Sequence, residues 1–384
     1  MIVAGEPSGD AHAAALVKAL RAAQTETAFE FFGSTGVAMR DVGVETIVRN
    51  DDLAIMGLYE VWVKALPKYI KAFQTLKQTA IERKPDAVVF VDWPDFNLRL
   101  ARSLKKKGLK TIYYISPQLW AWRSYRVNLV RKFVDRLLVI LPFELDWYKA
   151  RGLQNVEFVG NPLVGEVKPR YGREELLRRN QLDSSGPLVA LLPGSRHKEL
   201  TRILPPLLET SAIISKEKPE TQFIIPLAPN RRREEVETII NATKQDGVAL
   251  SANLRITKGE TREAIAAADV VAVASGTATL ETALLGTPLV IVYKESQINY
   301  RAFKPLINVE HVGLVNLIAG ERLATELIQY DFTPERLAQE LLLLMDKERN
   351  NAMRARLREV TAKLGDGGAS ERAALAILSE IERR

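Results

Sequence analysis

The sequence predicts an α/β protein built of two Rossmann-like domains, each a parallel sheet covered by crossover helices. Three observations predict it. Short β-branched runs alternate with helical stretches along most of the 384 residues, and that rhythm belongs to βα units. The length exceeds one ordinary core and suits two. The rhythm also stops once, in a polar stretch near the middle, and then restarts.

In the first half the strand candidates are residues 2–4, 29–33, 87–91, 110–115, 136–140 and 156–159, separated by helical signals at 11–23, 66–83 and 97–107. Residues 166–186 are polar and charged, with Pro169 and the pair Ser184-Ser185, and read as a linker. The second half offers strands at 188–192, 222–226, 249–256, 270–273 and 289–293, with helices at 204–216, 231–243 and 277–285. The expected division is therefore a first domain over 1–165, the linker, a second domain over 187–345, and C-terminal helices over 346–384. Ligands of such sheets sit at the carboxyl ends of the strands, so two domains facing across a cleft would place the active site there.

Composition narrows the class. Hydrophobic residues make up 47% and charged residues 26%, which suits a folded, water-soluble chain. The absence of cysteine excludes disulfide scaffolds, thiolate metal sites and cysteine nucleophiles, and it suits a reducing cytoplasm. No N-terminal signal is expected, since a strand-like run begins at Ile2. The longest apolar region, 266–293, is interrupted by Asp269, Gly276, Glu281 and Pro288, and reads as strand, helix and strand rather than a membrane span. A net charge of +7 favours an anionic partner, or is simply a solvated surface.

Four segments carry chemical potential. In AGEPSGD, residues 4–10, Gly5 and Gly9 permit a tight turn and close approach, while Ser8 or Asp10 could cap the following helix. His12, on the first turn, is either a polar core residue or an acid–base group. In VDWPDFN, residues 91–97, Asp92 ends the most hydrophobic strand, where a partly desolvated carboxylate can accept a proton. Asp95 reads better as a helix N-cap, with Asn97 as a further turn former. LLPGSR, residues 191–196, ends the first strand of the second half, and Arg196 there can meet a diphosphate or lie on the surface. SGTATLE, residues 275–281, opens a helix whose free N–H groups suit phosphate oxygens; Glu281 could accept from ribose hydroxyls or stabilise the helix start.

Taken in order, AGEPSGDAHAAALVKAL, DWPDFN, YYISPQLWAWRSYRV, LPFE, LLPGSR, SGTATLETALLGTP and GLVNLIAG make the chain similar, over nearly its whole length, to the lipid-A-disaccharide synthases. The resemblance implies a glycosyltransferase B fold and inversion at the anomeric carbon. It implies UDP-2,3-diacylglucosamine as donor, 2,3-diacylglucosamine 1-phosphate as acceptor, and lipid A disaccharide 1-phosphate and UDP as products. It further implies a cytoplasmic, peripheral enzyme on the inner face of the inner membrane of a Gram-negative-type bacterium. Carried over by motif, Asp92 is the base and Arg196 supports the leaving diphosphate. Ser195, Ser275, Gly276, Thr277, Glu281 and Asn316 hold UDP, and Glu6, Ser8, Asp10, His12 and Asp95 line the acceptor side. The sequence departs from the family pattern at Asn161, Val315 and Glu321.

No cofactor or metal is expected, because a clear Asp-x-Asp is absent and the three histidines are scattered. Met56, Leu58, Trp62 and Val63, followed by Lys64, Lys68 and Lys71, would form an apolar face with a basic rim that contacts lipid; an ordinary core-facing helix gives the same pattern. Lys105, Lys106, Lys107 and Lys110 add charge in that half. No nucleic acid is expected, since no recognised module appears; a homodimer is left open. The competing readings are a UDP-N-acetylglucosamine 2-epimerase or other UDP-sugar enzyme of this architecture, and a non-catalytic sugar-nucleotide or lipid-binding protein.

Overall fold

A computed structural model describes every residue except 27, 53–58, 229–230, 298–299, 302–308 and 384, and describes 52 and 59–65 by their backbone alone. The chain forms two compact units, Met1–Val164 with Leu364–Arg384, and Gly165–Lys363. The first holds strands β1 (Ile2–Ala4), β2 (Phe32–Thr35), β3 (Glu45–Arg49), β4 (Val88–Val91), β5 (Thr111–Tyr114), β6 (Arg136–Val139) and β7 (Val156–Phe158). They form one seven-stranded parallel sheet in the order β3-β2-β1-β4-β5-β6-β7. The order reverses beside β1, so the connections leave β1 and β4 towards opposite faces and a crevice opens above their carboxyl ends.

The second unit repeats the plan with β8 (Leu188–Leu192), β9 (Gln222–Leu227), β10 (Leu254–Lys258), β11 (Val270–Ala274), β12 (Leu289–Tyr293) and β13 (Glu326–Ile328). Its six parallel strands lie in the order β10-β9-β8-β11-β12-β13, which puts the switch between β8 and β11. The central strands of both sheets are buried on both faces, as their unbroken apolar runs require. Among the described residues, no helix is long and apolar enough to cross a membrane.

Two parts of the expected division are corrected. The supposed linker 166–186 belongs to the second unit and carries a helix, Arg173–Arg179, whose Leu176 and Leu177 are buried. Arg173 donates to the Gly186 carbonyl, 3.1 Å away, and pairs with Asp269 at the same distance. The C-terminal region also does not stand alone. Its helix Lys347–Ala362 stays with the second unit, where Arg354 donates to the Gly286 carbonyl at 2.8 Å. The last helix, Ala369–Glu382, returns to the first unit and buries Ala373, Ala374 and Ile377 against Ala13, Leu16, Val17 and Leu20 of the helix Pro7–Ala23.

Lys110 donates to the Ile381 and Arg383 carbonyls at 3.4 and 2.7 Å, closing the free end of that last helix. Lys105 pairs with Asp135 at 2.5 Å. Both were counted as membrane-facing charge, and both are engaged within the fold. The departures from the family pattern are likewise absorbed locally. The Asn161 side chain accepts from Leu163 N at 3.0 Å, Val315 is buried, and Glu321 pairs with Arg356.

Because the last helix supplies core to the first unit, Ile377→Ala is expected to cost about 2–4 kcal/mol there. Amide hydrogen exchange should quicken in the helix Pro7–Ala23 and stay unchanged in β8.

Candidate active site

In the first unit, the loops after β1 and β4 meet at the switch point. A side chain at Gly9 would stand 3.6 Å from the Val91 carbonyl oxygen and 3.8 Å from Asp92 Cβ. At Gly5 even a methyl group would fall 2.0 Å from the Trp93 ring, so the indole lies directly over that backbone. The ring also stacks on Phe96, with centroids 4.0 Å apart. Glycine at position 5 is thus a steric requirement of the Trp93 position.

Asp92 and Trp93 both occupy the left-handed region, with φ of 49° and 51°. Two such non-glycine residues in succession hold only if the surroundings over-determine them. They do. The Asp92 carbonyl accepts from Tyr113 Oη at 2.6 Å and from Asn97 Nδ2 at 2.8 Å. The same Asn97 amide lies 3.3 Å from the Val3 carbonyl and 3.4 Å from that of Val91, and the residue is fully buried. Asn97 is therefore the bracket that joins the ends of β1 and β4, a larger role than the turn former expected.

This backbone holds the Asp92 carboxyl half-buried at the strand end. Burial pushes its pKa up to about 6, the nearby Glu6 carboxylate adds to the rise, and the Trp93 N–H opposes it. Glu6 is exposed at the N-cap of the helix Pro7–Ala23, with exposed Ser8 two residues on. His12, half-buried, has its pKa lowered by burial, which favours the neutral ring.

Two acceptor-side expectations change. Asp10 is buried, and its carboxylate accepts from Gly36 N at 2.6 Å and Ala38 N at 2.8 Å. It caps the helix Val37–Asp41 instead of its own helix or a ligand, because backbone N–H pairs there need an acceptor. Asp95 is not an N-cap. Trp93 holds that position, and Asp95 pairs with Arg126 at 2.6 Å and Arg123 at 3.3 Å.

In the second unit, the loops after β8 and β11 line a cavity of about 660 Å³. Ser195, Arg196, Ser275, Gly276, Thr277 and Glu281 all line it. The helix Thr277–Leu284 opens there, with no side chain capping its exposed start. Ser275 Oγ donates to the Val312 carbonyl at 3.2 Å. Glu281 sits beyond the first turn and pairs with Arg262 at 3.2 Å, so it does not stabilise the helix start. Arg262 and Lys168 also line the cavity. Neither lies in a recognisable motif, which is why the sequence did not single them out.

The loop at Ser195–Arg196 is not an empty anion nest. Glu199 Oε2 accepts from Ser195 N at 3.0 Å and Arg196 N at 3.1 Å. The Arg196 guanidinium leans on Glu199 at 3.2 Å but remains largely exposed. Its charge, rather than the loop amides, is what this loop offers a phosphate. Asn316 is the other correction. It is fully buried, exchanges bonds of 2.8 Å with Ala324 N and O, and donates to Glu326 at 2.8 Å. With its amide spent internally it does not line the cavity; it shapes the turn that carries Val312.

Of the proposed lipid contacts, Met56 and Leu58 lie outside the described residues, as do the side chains of Trp62 and Val63. Among the described residues there is no group of three or more His, Cys, Asp or Glu that could hold a metal.

The family model for lipid-A-disaccharide synthetase matches residues 1–378. The chain belongs to the lipid-A-disaccharide synthase family. It is 43% identical over its full length to the lipid-A-disaccharide synthase of Trichlorobacter lovleyi, covering 97% of that protein. It is also 43% identical to that of Syntrophus aciditrophicus, again over all of this chain and 98% of the other. Lipid-A-disaccharide synthases are glycosyltransferases, so this chain is an enzyme acting on a sugar nucleotide and a lipid-linked sugar, and the epimerase and non-catalytic readings fall away.

Solved structures agree on the fold. A putative UDP-N-acetylglucosamine 2-epimerase from Listeria monocytogenes matches with a TM-score of 0.66 at 14% identity, over 100% of this chain and 96% of its own. The MurG of Acinetobacter baumannii matches with a TM-score of 0.57 at 17% identity, over 99% and 98%. These likenesses place the lipid-A-disaccharide synthase fold among the glycosyltransferase B type.

Asn97→Ala removes the donor shared by three strand-end carbonyls, and should cost about 1–3 kcal/mol of stability. Activity at saturating substrate is expected to fall at least about tenfold, because the Asp92 turn loses its bracket. Denaturant titration and steady-state kinetics on the one variant check both.

Proposed function

We propose that this enzyme transfers the sugar of UDP-2,3-diacylglucosamine to the 6-hydroxyl of 2,3-diacylglucosamine 1-phosphate, giving lipid A disaccharide 1-phosphate and UDP with inversion. The observation that carries it is the raised Asp92 carboxyl at the switch point of one unit, together with the cationic cavity at the corresponding switch point of the other. The hydroxyl oxygen attacks the anomeric carbon, its proton passes to the Asp92 carboxylate, and the bond from that carbon to the UDP phosphate oxygen breaks. Arg196 meets the charge that develops on the departing diphosphate, as oriented donors do in a partly dry site. Ser275, Gly276 and Thr277 hold phosphate oxygens at the helix start, and Glu281 accepts from the ribose. Glu6, Ser8 and His12 border the acceptor. The reading requires Asp92 and the cavity to serve one donor–acceptor pair.

The diphosphate is neutralised by arginine and helix dipole, without a metal. The reaction takes place on the inner face of the inner membrane, with the protein bound peripherally. The exposed Leu66 and Ile70, one helical turn apart in the helix Tyr59–Arg83 and interleaved with exposed Lys68 and Lys71, support this. A homodimer is compatible with this arrangement.

A base must be ionised to act. With the Asp92 pKa raised to about 6, kcat/KM should be flat at neutral pH and fall about tenfold per pH unit below that value. Because the Glu6 charge contributes to the rise, Glu6→Gln should move the acid limb to lower pH; a limb that stays in place would detach Glu6 from the site. Disaccharide and UDP should form in equal amounts, survive EDTA, and be lost in Arg196→Ala. UDP release to water alone would mark a hydrolase instead.

Trp62→Glu should reduce flotation with anionic vesicles while circular dichroism stays unchanged. Undiminished flotation would remove this segment from the membrane contact.

A further inference from the structure

We infer that Arg123 and Arg126 form an anion subsite that receives the phosphate of the acceptor lipid, an inference that rests on the acceptor named above. Both residues stand in the segment that follows β5, the strand beside β4, so they share a sheet edge with Asp92. Their guanidinium groups converge on a single oxygen. Arg126 Nη1 lies 2.6 Å and Arg123 Nη1 3.3 Å from Asp95 Oδ1. Asp95 itself follows Asp92 by three residues, and Tyr113 of β5 donates to the Asp92 carbonyl at 2.6 Å.

Stability does not account for this arrangement. The Asp95 side chain is 51% exposed, and ion pairs in such settings contribute little. Two guanidinium groups on one carboxylate also leave a net positive charge. Paired guanidinium donors suit a phosphate oxyanion, which has more oxygens than a carboxylate can offer. Asp95 then acts as a placeholder that keeps both arginines aligned until the phosphate arrives.

The rest of the segment is built to hold them. Buried Glu144 accepts from Ser116 Oγ at 2.7 Å and Trp120 Nε1 at 3.0 Å, and Tyr148 Oη donates to the Pro117 carbonyl at 2.8 Å. Arg123 has a left-handed φ of 56° and lies over the Trp122 ring, 4.1 Å from its centroid. Trp122 and Tyr125 are exposed beside the arginines. Aromatic rings with polar edges next to cations match the boundary between lipid headgroups and acyl chains. The subsite would thus grip the charged end of a lipid whose chains stay near the membrane.

The test is equilibrium binding of two soluble short-chain ligands to the full-length protein, diacylglucosamine 1-phosphate and diacylglucosamine without the phosphate. The natural sequence should prefer the phosphorylated ligand. Arg123→Ala and Arg126→Ala should each weaken it about tenfold, with Arg126→Lys intermediate, as expected for charge-assisted contacts. Affinity for the phosphate-free ligand should change less than about twofold. Asp95→Asn removes the competing anion and should bind the phosphorylated ligand at least as tightly. Equal losses for both ligands, no loss in the arginine variants, or weakening by Asp95→Asn would overturn the inference. Binding is read without turnover. A protein that discriminates the phosphate yet forms no disaccharide would contradict the proposed reaction and leave this subsite standing.

Discussion

The buried amide of Asn97 is the contact on which the switch-point turn of the first unit depends. A parallel sheet whose order reverses beside β1 leaves the carboxyl ends of β1 and β4 with no covering connection. Such an edge is open to substrate, and the turns that leave it need polar partners of their own. Asn97 resolves the conflict by donating to carbonyls on both strand ends from within the core. The Tyr113 hydroxyl adds a second donor to Asp92. With the carbonyl held from two sides, the left-handed turn at Asp92 and Trp93 is enforced, and the carboxyl is presented at the crevice rather than into bulk water. The raised pKa is a consequence of that placement.

A second pattern runs through both units. Loops and helix starts expose pairs of backbone N–H groups, and here acidic side chains of the chain itself satisfy them. Asp10 serves Gly36 and Ala38, Glu144 serves Ile140 and Leu141, Glu199 serves Ser195 and Arg196, and Glu326 serves Val312 and Gly313. Each is a charge-assisted bond to a rigid loop, of the kind that contributes about 1.5–3 kcal/mol. Where a carboxylate already holds the amides, a phosphate finds no nest, whereas the start of Thr277–Leu284 in the cavity carries no side-chain cap.

The alternation of the two sheets was legible because central parallel strands must be apolar throughout, and β1, β8 and β12 fall where the sequence put them. Strand β3 was missed because an edge strand can be Glu-Thr-Ile-Val-Arg, half exposed and charged at both ends. The helix His197–Glu217 began earlier than expected, since Pro205 and Pro206 look like a boundary yet lie inside it. Cavity residues in glycine- and serine-rich motifs were legible from spacing, because backbone freedom and small side chains are local properties. Asp10, Asp95 and Asn316 were not. What a polar side chain bonds to is decided by residues distant in sequence: Gly36, Arg126 and Glu326 here. The motif marks such a residue as constrained without saying whether a ligand or the fold imposes the constraint.

The account divides labour between a base that acts only in the transfer step and a cavity that binds nucleotide. The most direct measurement is made on Asp92→Asn, comparing UDP affinity by calorimetry with single-turnover formation of the disaccharide. The account predicts UDP affinity within about twofold of the unaltered protein and transfer slowed by about 10²–10⁴. Transfer at an undiminished rate, or affinity for UDP collapsing in step with it, would contradict the central claim.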